Sequence, residues 1–273
     1  MKPEHTVFFD GVDVRSLGLI FLTEHSNPII PGTRDKTSII DGVNGEYDYG
    51  ADLEPIPFDL PFFIEQTDPF RLQGYVRMVK KLLLDGFGKP RTFKLQFGYE
   101  KDKYYNVRVV GRVDIDRIYS SAGHFTLPLM CYEGYALSVA RNDEVVWGSQ
   151  DITFTADYLF GNNGSGAKTF TSNSSTVVTV TGDNLRPLIK LSGSGTNVKL
   201  SWGGKTMTLG TFTNANWLID LEDYTVTKNG NLGLDLIKGD WLDMYLSNGD
   251  NNINVEGSGL NLAFSVEFRD RFS

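Results

Sequence analysis

Apolar and polar residues alternate most plainly at the end of the chain. Leu260, Leu262, Phe264, Val266 and Phe268 interleave with Asn261, Ala263, Ser265, Glu267 and Arg269. Such a period of two predicts a strand with one face on a core and the other in water. A different period runs through 67–86. Thr67 or Asp68 supplies a helix cap, Pro69 suits the first helical position, and Leu72, Val76, Val79 and Leu83 recur at spacings of three and four. The pattern predicts an amphipathic helix lying on a sheet. Lys80 and Lys81 favour its far end, and Gly86 is expected to stop it.

Around the helix the reading is β. "TVFFDGVDV" turns at Asp10-Gly11 and "TSIIDGVNGEYDYG" at Asp41-Gly42. "RTFKLQFGYEKDKYYNVRVVGRVDIDR" predicts a long hairpin: Phe93, Leu95 and Phe97 alternate before a polar tip "EKDK", and Val107 and Val109 return, with Val113 and Ile115 beyond. "HFTLPLMCY" is the next strand, where Pro128 implies an edge or a bulge. "EGYALSVARNDEVVWGSQ" reads as a crossover with Arg141 to Glu144 exposed. Beyond it, β-branched runs such as "STVVTV", "LIKLSG", "VKLSW" and "TMTLGTF" alternate with Asn, Gly and Ser turns. Many short strands predict a sandwich or jelly roll. The expected fold is therefore mainly β in two domains, 1–137 with the helix and the long hairpin, and 138–273 as a β-sandwich.

Composition narrows the function. At 273 residues either half is large enough for its own core, and the single Cys131 excludes an intramolecular disulfide. A net charge of −8 speaks against nucleic-acid binding, which needs clustered Lys and Arg. No stretch approaches the ~18 apolar residues of a membrane span, and the first residues lack the pattern of a signal peptide. Neither a membrane nor a cofactor is expected.

Candidate chemistry is thin. "LSNGDNNINVEG" crowds Asn248, Asp250, Asn251, Asn252 and Asn254 around Gly249. A calcium loop needs alternating oxygens and a distant glutamate on a helix, but here the cluster feeds a strand. "GNNGSGAKT" at 161–169 has Ala167 where a phosphate loop needs Lys, so a flexible loop is expected. His5, His25 and His124 are scattered, and no His or Cys pair has zinc spacing. Asp114 and Asp116 form no more than a solvated pair. An enzyme is not expected, and no catalytic or metal residue is assigned. The alternative is a carbohydrate-binding module for host cell-wall glycans, with Trp202 and Trp217 as stacking platforms, although core packing explains both residues equally.

Several segments in order, "FFDGVDVRSLGL" (Phe8 to Leu19), the "DPF" helix with its hairpin, "GDNLRPLIKLSGSGTNVKL", "WLIDLEDYTVTKNG" and "LSNGDNNINVEGSGLNLAFSVEFRDRF", cover nearly the whole chain. Together they resemble the distal tail proteins (Dit) of long, non-contractile-tailed bacteriophages, the last three resembling that family's galectin-like domain. The resemblance implies a structural, non-enzymatic protein of the virion tail tip, made in the bacterial host cytoplasm. It further implies a homohexameric baseplate hub ring built by N-terminal domains. Its neighbours would be the major tail tube protein on one side and the tail-tip (tail-associated lysin) protein on the other, with receptor-binding proteins at the periphery. True galectins hold sugar with a histidine and a Trp-Gly-x-Glu stretch. Here "WGGK" (Trp202 to Lys205) lacks the glutamate and the second domain has no histidine. For a ring, Tyr99, Tyr104 and Tyr105 near the expected hairpin tip are the subunit-contact candidates, since buried contacts favour aromatics; the alternative, of equal weight, is that they pack on their own helix.

Overall fold

The computed structural model describes residues 5–144 and 168–273, which fall into two units, Met1–Ala136 (with Ser273) and Leu137–Phe272. The first unit runs β1 (Val7–Phe9), β2 (Val12–Asp13), β3 (Ile20–Phe21), β4 (Thr33–Ser38), β5 (Tyr47–Leu53), β6 (Ile56–Glu65), α1 (Pro69–Leu83), β7 (Thr92–Phe97), β8 (Glu100–Val109), β9 (Asp116–Tyr119) and β10 (Ala122–Cys131). Its main sheet is antiparallel in the order β2-β1-β7-β8-β10-β6-β3, with β9 also on β10. Phe58, Leu60, Phe62 and Ile64 of β6 alternate into a core shared with Phe9, Leu95, Phe97 and Leu127. The Asp10-Gly11 turn forms as expected: both residues have positive φ (50° and 79°), the conformation that a two-residue hairpin demands.

Helix α1 is capped by Asp68, whose carboxylate accepts from the Arg71 N–H at 2.9 Å. Leu72 and Leu83 are buried, while Tyr75, Val79 and Leu82 are partly buried against the same core. The helix ends before Gly86. Leu84 is already extended and bridges to Pro90, and the Asp85 carboxylate holds the following turn by accepting from the Phe87 and Lys89 N–H groups.

Two expectations for this unit need correction. The hairpin β7–β8 is short at its end: it returns at Gly98-Tyr99, with Phe97 opposite Glu100, so "EKDK" is the start of β8 rather than a tip. The Gly98 N–H donates to the Thr6 carbonyl at 2.8 Å, which pins the turn to the body of the sheet. Pro128 lies in an interior strand, since β10 pairs along its length with β6 and also with β8 and β9. The sheet tolerates it because the Pro128 carbonyl, accepting from Val110 N–H at 3.0 Å, faces the side where pairing with β8 runs out. The missing N–H falls on that side. Asp114 is not in a strand, and its carboxylate accepts from Arg112 at 2.8 Å.

After β11 (Ala136–Ser138) the second unit contains β12 (Lys168–Phe170), β13 (Ser174–Val180), β14 (Leu188–Trp202), β15 (Lys205–Asp220), β16 (Thr225–Lys228), β17 (Asn231–Leu232), β18 (Lys238–Gly239), β19 (Gly249–Glu267) and β20 (Arg271–Phe272). The sheet order is β12-β19-β14-β15-β16-β17, with β13 on β19 and β18 on β15. Some of the short strands expected here are halves of three long ones, β14, β15 and β19, while "STVVTV" is a short strand of its own, β13. "LIKLSG" and "VKLSW" are one 15-residue strand, β14, and β19 runs for 19 residues. Register shifts at Gly193–Val198 in β14 break its ladders with both neighbours at one level. Across that bend the buried positions change phase, from Ile189 and Leu191 to Val198, Leu200 and Trp202. In β19 they change from Ile253 and Val255 to Leu260, Leu262, Phe264 and Val266. An extra residue at a bulge flips the alternation, so both halves of each strand face one core. Gly193 is required there: φ is 133°, and a Cβ would lie 2.0 Å from the Asn261 carbonyl oxygen.

The stretch 133–150 is not an exposed crossover in its described part. Asn142 is buried, donating to the Val266 carbonyl (2.8 Å) and accepting from the Phe268 N–H (2.9 Å). Residues 145–150 of it, and 161–167 of the expected flexible loop, lie outside the described residues.

The Asn-rich stretch is a knot between two turns. Asn251 is buried and donates to the Ser247 (2.7 Å) and Gly249 (3.0 Å) carbonyls while accepting from the Ser247 N–H (2.9 Å). Asn248 donates to the Gly182 carbonyl at 2.6 Å, and Asp250 accepts from the Thr179 hydroxyl at 2.6 Å. One oxygen each of Asn251 and Asp250 is thus engaged in holding the fold. Replacing Asn251 by Ala leaves those backbone groups without partners and is expected to lower unfolding free energy by about 2–3 kcal/mol. Urea denaturation checks this, and a loss below ~0.5 kcal/mol would contradict it.

Candidate assembly surface

β4 and β5 form a two-stranded ribbon of their own, paired from Thr33↔Leu53 to Ser38↔Tyr47 with a register shift at Asp35/Thr37. Every residue of β4 is exposed, and so is all of β5 apart from the half-buried Asp52. Its base is closed by the Glu54 N–H donating to the Gly32 carbonyl at 2.7 Å. Across the ribbon Lys36 (2.7 Å) and Arg34 (3.3 Å) both reach Asp52, holding its carboxyl below the usual carboxylate range. Exposed pairs of this kind contribute little.

Among the ribbon's charged residues, and just before it, apolar ones are also exposed. Ile29, Ile30, Ile39, Ile40, Val43, Tyr47, Tyr49 and Leu53 are all exposed, Ile29 by 98% and Ile39 by 72%. A lone two-stranded hairpin is marginal in water, and a contiguous exposed apolar patch marks an interaction site. Among the described residues no strand of the main sheet pairs with the ribbon, and much of its apolar side-chain area stays in contact with water.

The sequence pointed elsewhere. Tyr104 is buried, with the Lys94 ammonium 4.5 Å from its ring centre. Tyr105 sets its ring edge-on to Phe58 (4.9 Å) in the unit's own core, and burial pushes its phenol up. Only Tyr99 is half exposed. Its ring stacks on Phe97 at 5.0 Å, its hydroxyl accepts from Asn27 at 2.6 Å, and burial of its inner side pushes the pKa up to about 12. Internal packing therefore accounts for Tyr104 and Tyr105. The residues missed were the isoleucines. Their signal was available: "NPIIPG" and "TSII" carry apolar pairs outside any alternation, and the β4 sequence "TRDKTS" has no face to bury.

The sugar platform also fails on burial. Trp202 is 4% and Trp217 2% exposed. Trp202 Nε1 donates to the Tyr245 carbonyl at 2.8 Å, and Trp217 meets Phe212 edge-on at 5.7 Å. Neither indole offers a face to a ligand. Among the described residues, no three or more His, Cys, Asp or Glu side chains converge as a metal site. Cys131 is buried, which pushes its thiol up, and among the described residues no helix is long and apolar enough to cross a membrane.

Residues 12–131 match the family model of the phage tail protein RIFT-related domain. The whole chain is similar in structure to the SPP1 Dit (gp 19.1) protein, described as a paradigm of the hub adsorption apparatus in phages infecting Gram-positive bacteria. The alignment covers 98% of this chain and 99% of that one, with a TM-score of 0.69 at 17% identity. The chain has the fold of a phage distal tail protein. Two structures of the phage p2 baseplate align over 96% of the chain at 10% identity, with TM-scores of 0.36 and 0.37, a likeness too slight to carry weight. No curated protein matches the sequence. The distal-tail fold thus brings together the tail-family domain at 12–131 and, within it, the exposed ribbon.

Because both indoles hold the second core, Trp202→Ala and Trp217→Ala are each expected to cost about 3–5 kcal/mol. Thermal unfolding checks this. An unchanged melting temperature in either variant would show that its indole is dispensable to the core.

Proposed function

We propose that this chain is a non-enzymatic structural hub of a phage tail tip, assembling as a homo-oligomeric ring of six copies. In this reading the first unit forms the ring between the tail tube protein and the tail-tip protein that reaches the host. The second unit is available to receptor-binding proteins, and the protein resides in the virion tail.

The observation that carries the reading is the β4–β5 ribbon, which pairs with no other described strand and exposes isoleucines and tyrosines, in a chain whose fold is a distal tail protein's. A ring supplies a cover at every copy, since a head-to-tail contact whose rotation closes leaves no copy at an open end. The net charge of −8 suits a passage for DNA, since like charge opposes adsorption.

The ribbon can be excised cleanly, because Gly32 and Glu54 are already joined by a hydrogen bond. Replacing 33–53 with a short Gly-Ser turn is expected to leave a folded monomer, while the wild type forms rings by negative-stain microscopy and light scattering. Rings unaltered by the excision would contradict this role for the ribbon, and a wild type that is monomeric at all concentrations would contradict the hub reading itself.

A further inference from the structure

The first unit has a second apolar surface, and it is concave. A cavity of about 360 Å³ lies between α1, the segment after β8 and the sheet, lined by Val76, Val79, Leu83, Val113, Ile115 and Phe125. It exists because α1 covers the sheet incompletely. Leu72 and Leu83 reach the core, whereas Val76 and Val79 stop at the wall of the opening.

We infer that this groove receives the tip of the β4–β5 ribbon from a second copy of the chain. The inference rests on the ring assembly proposed above and names its contact. Three observations point to this occupant. First, the tip is of matching character: Ile39, Ile40 and Val43 are exposed by 72%, 46% and 49% around the Asp41-Gly42 turn. Second, the charges are complementary. Residues 39–48 carry Asp41, Glu46 and Asp48 and no base, whereas α1 carries Arg71, Arg77, Lys80 and Lys81 and no acid. Lys80 lines the groove itself, and the one carboxylate there, Asp114, is engaged by Arg112 at 2.8 Å. Third, within one chain the tip is exposed while the groove stands open, so a copy does not fill its own groove. A convex element and a different concave one on each copy make a heterologous contact, the kind that generates rings. Opposite charge at the rim would set orientation and exclude wrong pairings, and the isoleucines would supply the buried centre.

Charge reversal tests this at exposed positions, which spares the fold. Lys80→Glu with Lys81→Glu reverses the groove, and Asp41→Lys with Glu46→Lys reverses the tip. Each pair alone is expected to raise the concentration needed for ring formation by ~10-fold or more. Mixing the two variants in equal amounts should restore assembly, since alternating copies then match tip to groove, and so should all four substitutions in one chain. As a second measurement, chains carrying Val43→Cys and chains carrying Val79→Cys are mixed and bridged with a short bismaleimide. A cross-linked dimer is expected from the mixture and from neither alone, the native Cys131 being buried. Variants that assemble like the wild type, weakened assembly that mixing does not rescue, or rings without the cross-link would each overturn the docking while leaving the ring. A wild type that never assembles would overturn both.

Discussion

Two β-strands hydrogen-bonded only to each other hold together weakly in water, because the ordering entropy of their residues is offset only when apolar surface is buried. The β4–β5 ribbon is such a pair, and its isoleucines and tyrosines are exposed. Main-chain pairing, two cross-strand cations on Asp52 and a closed base give it shape, but none of these removes apolar area from water. The shape of the ribbon is local, whereas in the proposed ring its apolar area would be covered by a neighbour. The rest of the first unit serves as its rigid mount, with a phenylalanine-rich core beneath a sheet whose turns are pinned back to the body.

The second unit answers the opposite problem. Three long adjacent strands would make a broad flat sheet, with one face in search of a cover. Bulges at 193–198 in β14 and the matching break in β19 bend the sheet so that its own halves enclose a core. The flip in alternation keeps the apolar side inside on both halves. This unit is self-sufficient where the ribbon is not. Trp202 and Trp217 are consumed by that core, which leaves sugar recognition through these two without a physical basis.

Much of this was legible in the sequence. Helix α1 with Asp68 and Pro69, the Asp10-Gly11 hairpin and the alternation of β19 from Leu260 onward follow from local rules that the tertiary structure does not override. The failures have a common cause. Glycine and asparagine mark both turns and bulges, so "GSGTN" in the middle of β14 read as a strand end. "EKDK" read as a tip because it is polar, although the return at Gly98-Tyr99 is fixed by a bond to Thr6, distant in the chain. The assembly surface was the least legible part. Exposure depends on what is missing from the neighbourhood, and an apolar pair such as Ile39-Ile40 looks in sequence like any fragment of core.

The central claim is that another copy covers the ribbon. Amide hydrogen exchange, followed at protein concentrations spanning monomer and ring, tests it most directly. The account predicts that the amides of 33–53 exchange quickly in the monomer and become protected in the ring, while those of β6 and β19 stay protected in both. Equal exchange of the ribbon amides in both states, in a preparation shown to contain rings, would contradict it.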